Sequence, residues 1–146
     1  MSASNEMETL LLQLILQNAN AANIGDATGL RGSSTAGSFY ISLHTSDPGE
    51  GGDQSTNETS YGAYARVAVT RSGGAWNVSG GAADNASAIV FPECTSGSAT
   101  ITHFGIGSAS SGAGHLFFSG ALSASLAVSA GITPAFAAGA LDITVD

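Results

Sequence analysis

Positive charge is the scarcest feature of this sequence. Lysine is absent, and Arg31, Arg66 and Arg71 are the only fixed cations against eleven Asp and Glu residues, which gives a net charge of −8 at pH 7. Proteins that bind nucleic acid or anionic membrane surfaces depend on clusters of lysine and arginine. We therefore expect neither a nucleic acid nor a membrane as a partner.

Cysteine and long apolar runs are also scarce. Cys94 is the only cysteine, so an intrachain disulfide is excluded, and no Cys/His spacing indicates zinc. The apolar run from Leu10 to Leu16 is far too short to span a bilayer. It follows Glu6 and Glu8 instead of the basic segment that opens a signal peptide, so no signal peptide is expected. The single thiol is expected to be buried and structural, as free cysteine usually is.

A series of short strand patterns separated by turn residues makes up most of the chain. Alternation of apolar and polar residues predicts strands, and Ser, Gly, Asn and Pro clusters predict turns between them. Ser46-Asp47-Pro48-Gly49 is the strongest turn, with Gly49 suited to a positive φ. The expected strands are Phe39–Thr45, Tyr64–Arg71, Trp76–Val78, Ala86–Phe91, Ser125–Val128, Ile132–Phe136 and Leu141–Val145, together with a central hairpin. This spacing predicts an antiparallel β-sandwich or jelly-roll-like barrel with one N-terminal α-helix.

The central hairpin is expected between Thr100 and Leu122, with its turn in the Ser, Gly and Ala run 108–114. This stretch carries three of the six phenylalanines and should lie at the core. Successive side chains of a strand point to opposite faces. Ile101 and His103 are therefore expected on one face, and Phe104 and Ile106 on the other.

The helix is expected from residue 5 to about residue 22. Asn5 and Glu8 fit a capping box. Met7, Leu10, Leu11, Leu14 and Ile15 recur at helical spacing, and Leu12 and Leu16 widen the apolar face. Such a helix requires burial on more than one side. It either packs across the core of the chain's own sheet or is shared between subunits.

A glycine-rich stretch, Ala19–Gly37, follows the helix and has the composition of a flexible linker. It contains Gly25, Gly29, Gly32 and Gly37. We therefore predict two parts: residues 1–37, the helix and linker arm, and residues 38–146, the β-sandwich domain.

Residues capable of chemistry are present but form no recognised constellation. His44, His103 and His115 lack an acidic residue at ligand spacing, and Asp47, Glu50 and Asp53 lack the alternation of an EF-hand calcium loop. No Gly-x-Ser-x-Gly nucleophile elbow lies between a strand and a helix. We expect no catalytic residue, no cofactor and no metal site. Tyr40, Tyr61, Tyr64 and Trp76 leave open an aromatic platform for sugar rings.

Six short strings in order carry a family resemblance over about residues 39–146. They are Leu43-His44-Thr45-Ser46-Asp47-Pro48-Gly49, Tyr64-Ala65-Arg66, Val90-Phe91-Pro92, Thr102-His103-Phe104-Gly105-Ile106, Ser119-Gly120-Ala121-Leu122 and Ala138-Gly139-Ala140-Leu141. The sequence resembles small virion proteins of tailed bacteriophages. Members are often labelled phage tail fibre proteins and are similar in size and class to capsid decoration, or cement, proteins.

The resemblance implies a structural protein of the virion, assembled in the host cytoplasm. A head decoration protein that binds the major capsid protein is the first hypothesis. A tail fibre or tail-tip module that binds host surface glycan is the alternative, and an enzyme is the second alternative. We expect a homotrimer, with its oligomer or capsid contacts made by six residues of the helix: Leu10, Leu11, Leu12, Leu14, Ile15 and Leu16.

Overall fold

The structure, a computed structural model, describes residues 3–22, 24 and 32–145. Within these ranges the helix is α1 (Asn5–Leu16), and the strands are β1 (Ser38–His44), β2 (Val67–Thr70), β3 (Trp76–Ser79), β4 (Ala82–Asn85), β5 (Ile89–Val90), β6 (Ser98–Gly107), β7 (Leu116–Ser129), β8 (Ala135–Phe136) and β9 (Ile143–Thr144). The pairs β1–β6, β6–β7, β3–β4 and β4–β9 are antiparallel. The mainly β class with one N-terminal helix is confirmed, and the antiparallel sheets are consistent with the expected β-sandwich.

The chain divides into two compact units. Unit 1 comprises residues 1–38, 70–89 and 136–146, and unit 2 comprises residues 39–69 and 90–135. Unit 1 holds α1 and the sheet β3-β4-β9, whereas the sheet β2-β1-β6-β7 lies almost entirely in unit 2. The division at residue 37 stays a prediction. Much of the expected linker, including Gly25, Gly29 and the neighbouring Arg31, lies outside the described residues.

The sheet of unit 2 is built around β1 and the predicted hairpin, which is confirmed as β6 and β7. In the register of β1 and β6, Tyr40 lies opposite Gly107 and His44 lies opposite His103. The residues Phe104–Gly107 are all buried, because β6 is an interior strand of the sheet and is covered on both faces. The expected alternation of faces therefore does not appear as alternating burial. The segment Ser125–Val128, expected as a separate strand, is part of the 14-residue β7.

An irregularity interrupts the pairing of β6 with β7. Ile101 pairs with Leu126, but His103 pairs with Ala121. A second shift, at Ile106/Gly107, leaves Phe117 without a pairing partner, and four residues of β7, 122–125, stand opposite the single residue Thr102. They divide β7 into a first half, 116–121, and a second half, 126–129.

In unit 1, α1 packs on β3 and β4. Ser4, not Asn5, is the N-cap, and its Oγ accepts a hydrogen bond of 3.3 Å from Met7 N. The helix ends at Leu16, earlier than expected. Asn18 has a left-handed φ of 56°, and Ala19 N donates back to Gln13 O at 3.1 Å. This arrangement ends the helix and satisfies the carbonyl of Gln13.

Two turns differ in how well the local sequence predicts the structure around them. After β1, Gly49 has the expected positive φ of 71°, and Asp47 Oδ1 accepts from Gly49 N at 2.8 Å. Strand β4 was not expected, because Ala, Asp and Asn have low strand propensity. It forms because Gly80 and Gly81, with φ of 60° and 80°, make a two-residue hairpin that returns the chain along β3. The expected strands Tyr64–Arg71 and Ala86–Phe91 shrink to β2 and β5.

Candidate functional site

The six helix residues expected to make subunit contacts divide into two groups. Leu12 and Leu16 are fully buried within the chain, whereas Leu10, Leu11, Leu14 and Ile15 are each only partly buried. Leu14 stands two residues from both Leu12 and Leu16, which is about 200° around a helix of 3.6 residues per turn. The face opposite the buried pair therefore carries Met7, Leu10 and Leu14 at helical spacing. We call Met7, Leu10 and Leu14 the outer stripe; Met7 is 38% exposed.

Polar contacts hold α1 against the rest of unit 1. Thr9 Oγ1 accepts from Gly81 N at 3.2 Å, and Gln17 Nε2 donates to Trp76 O at 2.9 Å. Arg71 donates from Nε to Ile15 O at 2.6 Å and from Nη2 to Leu14 O at 2.9 Å. A guanidinium at the C-terminal carbonyls also complements the helix dipole. The helix is thus docked on its own chain and still presents the outer stripe.

A buried ion pair organises one side of unit 2. Arg66 and Glu58 form two parallel hydrogen bonds, from Nε to Oε1 and from Nη2 to Oε2, each 2.7 Å long. Glu58 Oε1 also accepts from Tyr64 Oη at 2.8 Å. The hydrogen bonds with Glu58 raise the pKa of Arg66, and burial raises the pKa of Tyr64. Because every oxygen of this carboxylate is engaged, it is not poised for acid–base catalysis.

The same arginine reaches the loop between β6 and β7. Arg66 Nη1 donates to Ala109 O at 2.8 Å, and Nη2 donates to Gly112 O at 2.6 Å. The fully buried Gln54 holds the loop from the other side. Its Oε1 accepts from Ala109 N at 2.8 Å, and its Nε2 donates to Tyr40 O at 3.1 Å. We call Gln54, Glu58 and Arg66 the loop clamp, because together they tie residues 108–115 to the sheet.

His44 is a buried part of the sheet rather than a free ligand. Its Nδ1 lies 2.8 Å from Thr56 O, and its Nε2 lies 2.8 Å from Ser42 Oγ. Since a carbonyl only accepts, Nδ1 carries the proton and Nε2 accepts from the serine. Burial lowers the pKa of His44. A Cβ at Gly105 would lie 2.7 Å from both Nε2 and Ser42 Oγ, so glycine at this position makes room for the pair.

The other residues considered for metal binding are dispersed. His103 lies opposite His44, and its Nδ1 is 2.8 Å from Thr102 Oγ1, whereas His115 is exposed in the hairpin loop. In the described part of the chain, no three His, Cys, Asp or Glu side chains lie together as a metal site would require.

The acidic loop after β1 uses its carboxylates to shape turns. Asp47 Oδ1 accepts a hydrogen bond from Gly49 N, as described above. Asp53 Oδ1 accepts from Ser55 N at 2.8 Å, from Ser55 Oγ at 2.7 Å and from Thr56 N at 3.1 Å. The hydrogen bonds from Ser55 are the main reason that the pKa of Asp53 is lowered.

The aromatic residues considered as a sugar platform are mostly interior. Trp76 is fully buried in unit 1. In unit 2, Tyr61 is buried and its Oη donates to Pro92 O at 3.0 Å. Tyr64 stacks on Phe91 at a centroid distance of 6.4 Å. Tyr61, Tyr64 and Phe91 thus form a core cluster instead of the aromatic platform that the sequence left open.

Two open clefts of about 410 and 480 Å³ lie in unit 2. They share Glu58, Thr59, Ser60 and Tyr61 in their linings. The remaining lining is dominated by serine and glycine, and among its described residues it holds neither histidine nor cysteine. The clefts therefore lack a nucleophile–base pair of the kind that histidine and cysteine provide.

Cys94 is fully buried, as expected, and its Sγ lies 3.3 Å from Ser96 O. Among the described residues, no helix combines the length and apolarity needed to cross a membrane. The loop clamp was missed from the sequence. Its available signal was the rarity of positive charge, since Arg66 binds two backbone carbonyls and Arg71 binds three, none of which a sequence pattern marks.

Comparison with known proteins places these features in a family. The family model described as podophage GP4 fiber I protein gp80 matches residues 2–144, which include α1 and all nine strands of the described ranges. No curated protein matches the sequence. The expected relationship to small virion proteins of tailed phages is confirmed. The chain therefore belongs to the podophage GP4 fiber I protein gp80 family of phage structural proteins.

Proposed function

We propose that this chain is a fibre subunit of a podophage virion and works as a homo-oligomer. The family match over residues 2–144 is the observation that carries the proposal. The contacts of unit 2 support a structural role, because the charged and amide groups of the loop clamp hold a loop in place. We assign the chain a structural role and no catalytic one.

The outer stripe of α1 is the proposed contact between subunits. Met7 is 38% exposed, and Leu10 and Leu14 are only partly covered, although helix residues of this type favour burial. Glu6 and Glu8 flank Met7, but no charged residue occurs from Thr9 to Gln17, so contact through Leu10 and Leu14 meets no like charge from that part of the helix. We take the oligomer to be the trimer implied by the resemblance to virion proteins. Dimers are the commonest closed assembly, so the mass of the protein in solution is the measurement that distinguishes a trimer from a dimer.

The test measures the solution mass of the full-length chain and of a double variant, Leu10→Gln with Leu14→Gln. Glutamine keeps helix propensity but removes the apolar surface. We expect the unaltered chain to have a mass that is a multiple of three chains, and the double variant to lose that multiple. Ile132→Gln is the matched control, because Ile132 is 40% exposed and lies outside the helix. A double variant with the mass of the unaltered chain contradicts the proposal.

Head decoration is the second candidate, with the phage major capsid protein as partner. The observation that favours it is that these 146 residues carry no repeat array of the kind that builds a long shaft. Antibody-labelled electron microscopy of virions separates the two. Label confined to fibres supports the fibre subunit, and label spread over the head supports decoration.

Host glycan binding by a tail-tip module is the remaining alternative. Its support is weaker, because Trp76 and Tyr61 are buried and the two clefts described above are lined largely by serine and glycine. Binding of the assembled protein to a glycan array, and its loss in Ser60→Trp within the shared lining, would favour it.

A further inference from the structure

We infer that the outer edge of β7 pairs with β7 of a second copy of this chain. In the sheet order β2-β1-β6-β7, strand β7 is terminal, and at 14 residues it is the longest strand of the described ranges. The outer edge of a terminal strand presents backbone N–H and C=O groups to whatever approaches it. The inference goes beyond the proposed function and uses a surface separate from the helix.

The first half of β7 has a bulge at Phe117 but lacks the lysine and proline that usually protect an edge strand. Sheets usually guard their edges with lysine, proline, short strands or bulges. No charged residue and no proline occurs from Leu116 to Ser129. The opposite edge differs: β2 has only four residues and is flanked in sequence by Arg66 and Arg71. One edge of the sheet is therefore short and flanked by charge, and the other is long and uncharged, with its bulges leaving 118–121 open.

The side chains of β7 are incompletely covered on both faces. Phe117 is 50% exposed, although it makes an edge contact of 5.4 Å with the ring of Phe39. On the other face, Leu116, Phe118 and Leu122 are each only partly buried. The interior strand β1, by contrast, is buried at nearly every position. A strand paired to the outer edge of β7 would bury its side chains further, as the neighbours of β1 bury those of β1.

Charge selects a second copy as the occupant. The chain carries −8, so two copies repel at most approaches. Antiparallel pairing of β7 with itself sets two uncharged strands side by side and brings no like charges into register. A two-fold pairing is also closed, because it uses the open edge of both partners.

The irregularity of β7 limits where the pairing lies. The bulge at residues 122–125 twists the edge, which disfavours regular pairing there. A second register shift leaves Phe117 without a pairing partner, so the regular stretch is 118–121, which spans roughly 14 Å at ~3.4 Å per residue. The two-fold axis is therefore expected within 118–121.

A cysteine scan of the full-length chain tests this geometry. One cysteine at a time replaces residues 116 to 121, and disulfide-linked dimers are quantified after mild oxidation. The native Cys94 is fully buried and does not compete. At the two-fold axis a residue faces its own counterpart at about 4.5–5.5 Å between Cα atoms, within disulfide reach. We expect one position to cross-link at least several-fold more than its neighbours, with the yield falling on both sides.

Ala88→Cys is the control, because Ala88 is exposed and lies in a loop outside β7. A flat profile, or yields no higher than at Ala88, overturns the inference. A second measurement covers cysteine variants that fail to fold. Ala121→Lys adds a charge to the exposed side of β7, and Ala88→Lys makes the same change elsewhere. We expect Ala121→Lys to halve the assembly mass and Ala88→Lys to leave it unchanged; equal masses overturn the inference.

The two proposals fail separately. The outer-stripe variant changes only the helix, so its solution mass tests the threefold contact while β7 keeps its sequence. Its β7 cross-link is expected to persist at the same position, so a lost trimer with a retained cross-link assigns the two contacts to different surfaces.

Discussion

Single polar side chains inside this molecule act as fixed connectors. His44, Gln54 and Arg66 are all buried, and each satisfies its polar atoms with named neighbours. A buried polar group that loses its partner costs about 1–3 kcal/mol, so each connector is sensitive to substitution. The behaviour of His44 and of Gly49 can be predicted at this scale.

We expect the chain to lose stability as the pH falls below about 6.5. Burial lowers the folded-state pKa of His44 from its ordinary 6.5. The unfolded chain then binds the proton more tightly, so this contribution is complete above the unfolded pKa and is lost as the pH falls towards the folded pKa. Thermal melts between pH 7.5 and 5 check this slope, and His44→Gln should flatten it.

His115→Gln is the control for this pH test, because His115 is exposed in the hairpin loop. Its slope should match that of the unaltered chain. If His44→Gln keeps the full slope, the loss of stability belongs to another group. Asp53, whose pKa is lowered, acts in a more acidic window: its contribution is complete above its ordinary 3.8 and is lost below it.

Gly49→Val should destabilise the chain by roughly 1 kcal/mol or more, because a β-branched residue is strained at positive φ. Gly49 has a φ of 71°, and a Cβ there would meet nothing within 4 Å, so backbone strain is the whole effect. Urea denaturation measures the change. Gly51→Val is the matched control, since its Cβ also meets open space but its φ lies outside the positive region. Equal effects at the two glycines would contradict this account.

At the scale of elements, the helix shows how a distant residue completes a local structure. α1 has no basic residue in its last turn. Arg71, which follows β2 in sequence, supplies the missing charge at the carbonyls of Leu14 and Ile15. The docking of α1 therefore depends on one side chain from outside the helix as well as on Leu12 and Leu16.

Arg71→Met should cost about 1.5–3 kcal/mol, since charged hydrogen bonds to the helix end are lost while the aliphatic stem is kept. Chemical denaturation of the full chain, with helicity followed by circular dichroism, measures the change. Arg71→Lys keeps the charge but not the fork of donors, so its stability should lie between that of Arg71→Met and that of the unaltered chain. A methionine variant as stable as the unaltered chain would show that the contacts to Leu14 and Ile15 contribute nothing.

At the scale of the whole molecule, the scarcity of charge bears on the proposed assembly. Only the −8 net charge opposes association, and the outer stripe and the edge of β7 are both uncharged. A uniformly sparse surface of this kind favours contacts between copies wherever apolar groups remain exposed.

We expect the stability of the whole chain to be independent of metal ions. Asp47 and Asp53 are occupied in their own turns, and the described residues hold no cluster of ligands. Thermal melts with and without EDTA should coincide. A drop of several degrees with EDTA would restore the calcium interpretation of Asp47, Glu50 and Asp53.

Local patterns in the sequence were sufficient for the class and for much of the element order. The mainly β class, the single helix, the hairpin of β6 and β7, the turn at Gly49 and the burial of Cys94 were all predicted. Each depends on near neighbours: alternation, a proline–glycine turn, a helical repeat. The family resemblance was legible for the same reason, because its six strings are short and contiguous.

Contacts between distant residues were decided only by the tertiary structure. Strand β4 has weak strand propensity and exists because β3 and β9 pair with it. The helix buries Leu12 and Leu16 and turns Met7, Leu10 and Leu14 outward, because its orientation is set by the surface of β3 and β4 and not by its own pattern. In the loop clamp, Gln54 and Arg66 donate to backbone carbonyls, which no sequence pattern marks, and Glu58 accepts from Arg66. Sequence periodicity records which residues can be buried; which of them are buried depends on the surface that the rest of the chain offers.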